Sequence, residues 1–252
     1  MRLKSLIAAL AGAMLSLSAH AYDWNKAVQD ALKLASSSSG SPAASGMDAL
    51  SSGDINAGLK QALTQGAQAA VVQLGKTDGF YGNKALRIPL PASLKKADKM
   101  LRLAGMGGQA DELILSMNRA AEAAVPQAQA LLTESIRSMT LEDAKGLLTG
   151  GNTAATEFFR KKTEVQLTES FTPIVKATTD KVGLAQQYNQ YAGAAAQFGL
   201  VDKSQASIDQ YVTRQALDRL YKVIGEQEQA IRAHPMQAGS DLVKKVFGAA
   251  TK

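Results

Sequence analysis

Apolar residues recur at helical spacing along most of this chain, and the pattern predicts a protein built from α-helices. One clear stripe, over positions 55–74, consists of Ile55, Leu59, Leu63, Ala67, Ala70, Val71 and Leu74. Residues three or four positions apart share one face of a helix, so this stripe makes one face apolar and leaves the other polar. Similar stripes follow over 109–139 and 207–233. We therefore expect an all-α fold in which each of these helices buries one face.

Proline and glycine divide the apolar pattern into separate elements. Gly75 ends the first long helix, and the two prolines of the segment 86–91 predict extended backbone there. Pro126 is expected to kink or split the helix over 109–139, and Pro173 is expected to interrupt the next long helix. With these breaks the chain is expected to form a single irregular bundle of about eight to ten helices.

The first residues have the pattern of a secretory signal peptide. Arg2 and Lys4 precede an apolar run over 6–17, which is too short to span a membrane as a helix. Residues 19–21 then give the small-x-small pattern of a cleavage site. We expect cleavage after Ala21, which leaves a mature chain that is soluble in the periplasm. The alternative is an anchor helix that is not cleaved.

After the signal peptide at 1–21, the chain divides into a short arm and one helical domain. Residues 22–46 combine an amphipathic helix over 23–35 with a linker rich in serine, glycine and proline. The helix is therefore expected to be tethered, and either to dock on the body or to bind a partner. The helical domain is expected to span 47–252.

Composition excludes several classes of chemistry. The chain has no cysteine, which removes disulfides, thiol nucleophiles and a lipidation site. One of its two histidines, His20, leaves with the signal peptide, so only His234 remains and clustered histidine metal sites are excluded. No loop has the alternating Asp/Asn spacing of a calcium site. We expect no metal and no cofactor.

The charge of the chain is mildly basic and evenly spread. The formal net charge is +6, to which Arg2 and Lys4 of the signal peptide contribute, and no block of like charges occurs. This pattern does not favour nucleic acid binding, and export argues against it. Weak attraction to anionic lipid or to a cell-wall polymer is compatible with it.

The least ordinary polar residues lie within an alanine-rich helical stretch at 117–125. Glu122 is four positions from Asn118 and three from Arg119, so Glu122 can reach both on one helix face. Because alanines allow neighbouring helices to approach closely, these polar groups are expected to be at least partly enclosed. Further candidates for the same neighbourhood are Asp143, Thr156, Arg160, Glu228 and Arg232.

Three interpretations of this polar set stay open at this point. The first is a structural network in which arginines bridge helices and carboxylates satisfy them. The second is a ligand site in which Arg119 and Arg160 receive a carboxylate or a phosphate. The candidate ligand-binding residues are Asn118, Arg119, Glu122, Thr156, Arg160 and Arg232. The third is catalysis on an envelope glycan, with Glu122 or Glu157 as the general acid or base.

The loop over 78–83 has two interpretations. Its Asp-Gly sequence commonly forms a tight turn, after which Phe80 packs onto the body. Alternatively, the loop is a lid that presents Phe80 and Tyr81 to a partner. These two residues are therefore the candidate partner-binding residues.

Several motifs occur together in a characteristic order along the chain. They are DGF at 78–80, IPLP at 88–91, MNRAAE at 117–122, DA at 143–144, TEFFR at 156–160, YVT at 211–213, IRAHP at 231–235 and VFG at 246–248. This order resembles the bacterial domain-of-unknown-function family 4197, and the resemblance covers about 47–252. It implies an all-helical exported protein and no established activity. It also implies that some relatives carry a lipidation cysteine at the cleavage site, which this chain lacks.

Together these features favour a periplasmic, non-enzymatic binding or interaction protein. A small anionic ligand or another envelope protein is the expected partner, whereas nucleic acid is not. We expect no membrane span after cleavage of the signal peptide. Two alternatives stay open, namely an envelope hydrolase that uses acidic residues and a purely structural or scaffold protein.

Overall fold

The computed structural model describes residues 51–103, 105, 107–197, 206–237 and 240–250. Within these ranges the regular elements are helical, and no strand occurs. The α-helices are α1 (Ser52–Gly75), α2 (Ala92–Leu103), α3 (Gly107–Ala124), α4 (Ala128–Arg137), α5 (Leu141–Thr149), α6 (Ala154–Thr179), α7 (Gly183–Gln197), α8 (Ile208–Ala233) and α9 (Asp241–Ala250). Short 3₁₀ turns at Val125–Gln127 and Pro235–Gln237 follow α3 and α8. The prediction of an all-α bundle is confirmed.

Local sequence fixes where several helices begin. Ser51 caps α1, because its Oγ accepts a hydrogen bond from the Asp54 backbone N–H at 3.0 Å. Before α5, Thr140 and Asp143 form a capping box, in which each side chain accepts from the other residue's backbone N–H. Each cap satisfies an N–H group that the helix leaves unpaired, so polar spacing in the sequence sets the helix start.

Pro126 and Pro173 have different consequences. Pro126 lies in the 3₁₀ turn between α3 and α4, so it splits the predicted central helix. The predicted interruption at Pro173 is wrong, because α6 continues through it. The adjacent face of α6 carries Phe171 and Val175, which are fully buried. Their packing offsets the hydrogen bond that a proline removes from a helix interior.

The centre of the bundle is formed by α3, α6 and α8. Helix α6 packs on both α3 and α8, while α1 packs on α4, α8 and α9. Small residues allow close approach, since Ala120, Ala121 and Ala124 of α3 are fully buried. Gly225 of α8 faces α6 so closely that a Cβ there would lie 3.1 Å from the Thr156 Oγ1. The core therefore depends on alanine and glycine contacts between helices.

Three assignments made from the sequence lie outside the described residues. They are the signal peptide at 1–21, the arm at 22–46 and its helix over 23–35, and they stay predictions. The described residues belong to one unit that spans Ala43–Lys252. Among the described helices, none combines the length and the apolar character needed to cross a membrane.

Candidate functional site

The chain between α1 and α2, which we call the 76–91 segment, contains several of the motif residues. Asp78 adopts the left-handed backbone conformation, with φ of 64°. Phe80 and Ile88 are fully buried and belong to the hydrophobic core. The segment is therefore an integral part of the fold, although it forms neither helix nor strand.

Asn118 of α3 pairs with the backbone of this segment. Its Oδ1 accepts from the Ile88 N–H at 2.8 Å, and its Nδ2 donates to the Ile88 carbonyl at 2.9 Å. The Nδ2 group also donates to the Ile114 carbonyl at 2.7 Å. The fully buried amide thus satisfies a backbone that has no neighbouring strand. Both of its donor hydrogens are used, which leaves none for a ligand.

Glu122, one turn further along α3, holds the turn at the start of the segment. Its Oε1 accepts from the backbone N–H groups of Phe80 at 3.0 Å and Tyr81 at 3.1 Å. Its Oε2 accepts from Arg119 Nη1 at 2.6 Å, and Arg119 Nη2 donates to Asp78 Oδ1 at 2.8 Å. The hydrogen bond to Glu122 is the main cause that raises the pKa of Arg119. Because Glu122 is only 4% exposed, its charge needs a partner inside the protein, and Arg119 provides it.

Helix α8 holds the other end of the 76–91 segment. The Tyr211 hydroxyl donates to the Pro89 carbonyl at 3.0 Å. Arg219 Nη2 donates to the Arg87 carbonyl at 3.2 Å. Burial is the main cause of two pKa shifts here, because it raises the pKa of Tyr211 and lowers the pKa of Arg219. The segment is therefore fastened from α3 and from α8.

The two candidate partner-binding residues differ in their exposure. Phe80 has no exposed surface, which favours packing over a lid that presents it to a partner. Tyr81 is half-buried, and its ring centre lies 4.4 Å from the Arg87 guanidinium carbon and 5.7 Å from that of Arg119. Arg87 also donates from Nε to the Tyr81 carbonyl at 2.7 Å. The loop is therefore held by its own contacts.

A substitution at Gly79 tests how closely this segment lies against α1. A Cβ there would lie 2.5 Å from the Leu74 carbonyl oxygen and 2.6 Å from that of Gln73, so backbone must shift. We expect Gly79→Ala to lower the free energy of unfolding by about 2 kcal/mol in urea denaturation. At Gly151 a Cβ meets nothing within 4 Å, so Gly151→Ala is the control. Equal unfolding free energies for the two variants would contradict the close approach.

A second buried carboxylate, Glu228 of α8, caps the start of α6. Its Oε1 accepts from the Ala155 N–H at 3.0 Å, and its Oε2 accepts from the N–H and the hydroxyl of Thr156, both at 3.0 Å. Arg232, one turn further, donates from Nε and Nη2 to Glu228 Oε1 at 3.1 and 2.9 Å. Arg232 Nη2 also donates to the Leu147 carbonyl of α5 at 2.7 Å. The Glu228–Arg232 pair therefore joins the end of α5 to the start of α6.

Arg232 also borders a concave surface of about 520 Å³, together with Asn152, Gln229 and Phe247. Its side chain already donates to Glu228 and to two carbonyls of α5. The guanidinium charge is matched by the Glu228 carboxylate at 2.9 Å. Arg232 therefore offers this surface little unpaired charge.

Arg160 lies elsewhere, on the wall of a groove between α6 and α8 that has a volume of about 500 Å³. The groove is lined from α6 by Arg160, Glu164, Thr168 and Thr172, and from α8 by Gln210, Thr213, Arg214, Leu217 and Asp218. The four residues from α6 are spaced one helical turn apart, so they form a continuous polar row along that helix. We call this region the α6–α8 groove.

Arg160 is paired through one nitrogen and unpaired through the other two. Its Nη1 donates to Glu164 Oε1 at 3.0 Å and to Asp218 Oδ1 at 3.1 Å. Its Nε and Nη2 donate to no acceptor among the described residues. The side chain as a whole is 38% exposed, so part of it is in contact with solvent.

Tyr221 supports Arg160 from the protein interior. The guanidinium carbon of Arg160 lies 4.6 Å from the ring centre of Tyr221, whose side chain is fully buried. The Thr163 hydroxyl donates to the Phe159 carbonyl, so the Tyr221 hydroxyl is the donor in its 2.9 Å bond to Thr163. Burial is the main cause that raises the pKa of Tyr221 to about 12. The neutral ring face attracts the guanidinium and fixes its position.

The α6–α8 groove also contains a hydroxyl without a partner. Thr213 lines the groove and is 2% exposed, and its Oγ1 has no hydrogen-bond partner among the described residues. A buried polar group that lacks a hydrogen bond costs about 1–3 kcal/mol. The groove therefore holds two sets of unpaired polar atoms, on Arg160 and on Thr213.

The carboxylates of the groove are not placed as a general acid would be. Glu164 and Asp218 are 48% and 41% exposed, and both lie against Arg160. An apolar enclosure is one feature that keeps a carboxyl protonated for general acid catalysis, and neither residue has it. Among the described residues, no group of three or more His, Asp or Glu side chains could hold a metal ion.

The candidate ligand-binding residues thus fall into three separate places. Asn118, Arg119 and Glu122 lie on α3 and contact the 76–91 segment. Thr156 and Arg232 lie at the junction of α5 and α6. Arg160 lies in the α6–α8 groove. Sequence reasoning missed Thr213 and Asp218. The spacing of Gln210, Arg214 and Asp218 at intervals of four predicts that they share one polar helix face. It does not indicate which helix packs opposite that face.

Comparison with known proteins gives a family match over nearly the whole helical domain. A model of the family described as "Protein of unknown function (DUF4197)" matches residues 49–248. No curated protein and no solved structure matches the chain. The match agrees with the order of motifs in the sequence and brings no activity with it.

Proposed function

We propose that this chain, which belongs to the family of proteins of unknown function DUF4197, is a non-enzymatic binding protein in the periplasm. The binding site is the α6–α8 groove, and the ligand is a small molecule that carries a carboxylate or a phosphate group. The periplasmic location rests on the signal peptide pattern that ends at Ala21.

One observation carries this proposal: Arg160 lines a groove of about 500 Å³ and keeps Nε and Nη2 unpaired among the described residues. These two nitrogens form one edge of the guanidinium, and that edge binds carboxylate and phosphate oxygens side by side. Within this protein the same edge of Arg232 donates to the Glu228 carboxylate. An anionic group in the groove would give Arg160 an equivalent partner.

The other residues of the groove indicate what the rest of the ligand looks like. Two arginines and two carboxylates line it, namely Arg160, Arg214, Glu164 and Asp218, so its formal charge is balanced. Long-range attraction of an anion is therefore weak, and short hydrogen bonds must supply the affinity. Gln210 adds an amide beside the apolar Leu217. A ligand with hydroxyl or amine groups next to its anionic group fits this lining.

The proposal is tested by removing the charge of Arg160. We expect Arg160→Gln to weaken binding about 10- to 100-fold, because hydrogen bonds to charged groups contribute about 1.5–3 kcal/mol. The probes are inorganic phosphate and succinate, each titrated at constant ionic strength and followed by amide chemical shifts in NMR spectra. Arg137→Gln is the matched control, since Arg137 is 79% exposed and forms a surface ion pair with Glu134.

The control variant is expected to bind both probes as the wild type does. Two results would count against the proposed site. One is the absence of saturable binding of either probe to the wild type. The other is equal affinity in the Arg160→Gln and Arg137→Gln variants, which would move the ligand away from the groove.

A further inference from the structure

Helix α2 carries an exposed row of two lysines and a leucine. Lys95, Lys99 and Leu103 are spaced four residues apart, so they share one face of the helix. Both lysines are exposed, and their side chains pair with no acid among the described residues. Leu103, at the end of the helix, is 90% exposed. This row faces solvent, whereas Leu94 of the same helix packs against the core.

Two acids near this row, Asp98 and Asp111, already pair with an arginine. Arg102 forms ion pairs with Asp98 at 2.9 Å and with Asp111 at 2.5 Å. These pairs take up the acid of α2 and a neighbouring acid of α3. Lys95 and Lys99 themselves form no ion pair within 4 Å among the described residues, and they share their helix face with Leu103, which is 90% exposed.

We propose that α2 docks on the surface of an anionic phospholipid bilayer. Lysines next to an apolar residue on one helix face match the phosphate region of such a surface and the apolar region beneath it. The lysine ammonium groups lie at the lipid phosphates, and the apolar side chain enters the boundary of the acyl chains. The charges of Lys95 and Lys99 complement a negatively charged surface, because the one acid of α2, Asp98, is paired with Arg102, and Leu103 at the end of the row is 90% exposed.

This site is separate from the α6–α8 groove. The docking row lies on α2, which packs on α3, whereas the groove is formed by α6 and α8. The inference therefore stands independently of the ligand proposed for the groove. A protein that binds a small ligand at one site and a membrane surface at another would act close to the bilayer.

The test is co-sedimentation of the mature full chain with lipid vesicles at low ionic strength. One set of vesicles contains phosphatidylglycerol mixed with phosphatidylcholine, and the other contains phosphatidylcholine alone. We expect the wild type to bind the anionic vesicles only. The double variant Lys95→Gln/Lys99→Gln is expected to lose roughly 25-fold in partitioning, because each cation near an anionic surface contributes about fivefold. Leu103→Ser is expected to weaken binding severalfold.

Matched controls test whether binding depends on this face of α2 or only on the number of exposed lysines and apolar residues in the protein. Lys145→Gln/Lys161→Gln removes two exposed lysines from α5 and α6, and Val72→Ser removes a 63% exposed apolar residue from α1. Both are expected to bind as the wild type does. The inference is overturned if the wild type binds neither kind of vesicle or binds both kinds equally. It is also overturned if the control variants weaken binding as much as the α2 variants do.

Discussion

Replacement of Glu228 by alanine is expected to lower the free energy of unfolding by about 4 kcal/mol, because it leaves a buried charge and buried donors without partners. Glu228 accepts from two backbone N–H groups and a hydroxyl at the start of α6. It is also the counter-charge of Arg232, whose side chain is 13% exposed. The measurement is urea denaturation followed by circular dichroism, with the denaturant slope checked for two-state behaviour.

The matched control is Glu226→Ala on the same helix. Glu226 is 52% exposed and lies 3.8 Å from Lys222, so its replacement is expected to change the unfolding free energy by less than about 0.5 kcal/mol. Similar losses in the Glu228→Ala and Glu226→Ala variants would show that the buried junction does not contribute as the contacts suggest. Glu228→Gln, which keeps the acceptor oxygen but not the charge, is expected to fall between the two.

Replacement of Glu122 by alanine is expected to lower the free energy of unfolding by about 3 kcal/mol, and to loosen the 76–91 segment specifically. The variant removes the acceptor of the Phe80 and Tyr81 N–H groups and the buried partner of Arg119. Because these donors serve one segment, hydrogen exchange is expected to quicken there first. Peptide-level hydrogen exchange gives the local effect, and urea denaturation gives the global one.

Glu134→Ala is the control for this second variant. Glu134 is 57% exposed and pairs with Arg137 on the surface of α4. We expect it to leave both the unfolding free energy and the exchange of the 76–91 segment unchanged. Unaltered exchange in Glu122→Ala itself would contradict the assignment of the motif around Asn118 to a clamp on this segment.

Much of the helical architecture was predictable from the sequence, because its causes are local. The apolar stripe over 55–74 sets the buried face of α1, and the Thr140 capping box sets the start of α5. Pro126 splits the central helix as its geometry requires. The continuation of α6 through Pro173 was not predictable in the same way, since it depends on the burial of Phe171 in the folded protein. Tertiary packing, which the local sequence does not contain, outweighs the local preference of proline.

The roles of the polar motif residues were only partly predictable. Their spacing shows that Glu122 can meet Arg119, and that Glu228 can meet Arg232, since each pair lies on one helix face. The other partners are backbone N–H and carbonyl groups, such as those of Ile88, which no pattern of side chains reveals. The choice between a structural network and a ligand site therefore depended on contacts between distant parts of the chain.

The groove illustrates the same limit for function. Arg160 was a candidate from the sequence, but its unpaired edge follows from where Glu164 and Asp218 lie in the folded protein. The hydroxyl of Thr213 is notable only because burial leaves it without a partner. Sequence spacing identifies polar helix faces, whereas the pairing of two such faces across α6 and α8 decides which polar atoms stay unpaired.

Binding of an anionic ligand in the α6–α8 groove through Arg160, as we propose, is best tested by native mass spectrometry. The wild type, Arg160→Gln and Arg137→Gln proteins are purified gently from the cells that produce them, and each is compared with the same protein after refolding. We expect an additional mass on the native wild type and on Arg137→Gln, and its absence from Arg160→Gln and from all refolded samples. A wild type without additional mass, or the same additional mass on Arg160→Gln, would show that Arg160 does not hold a ligand in the groove.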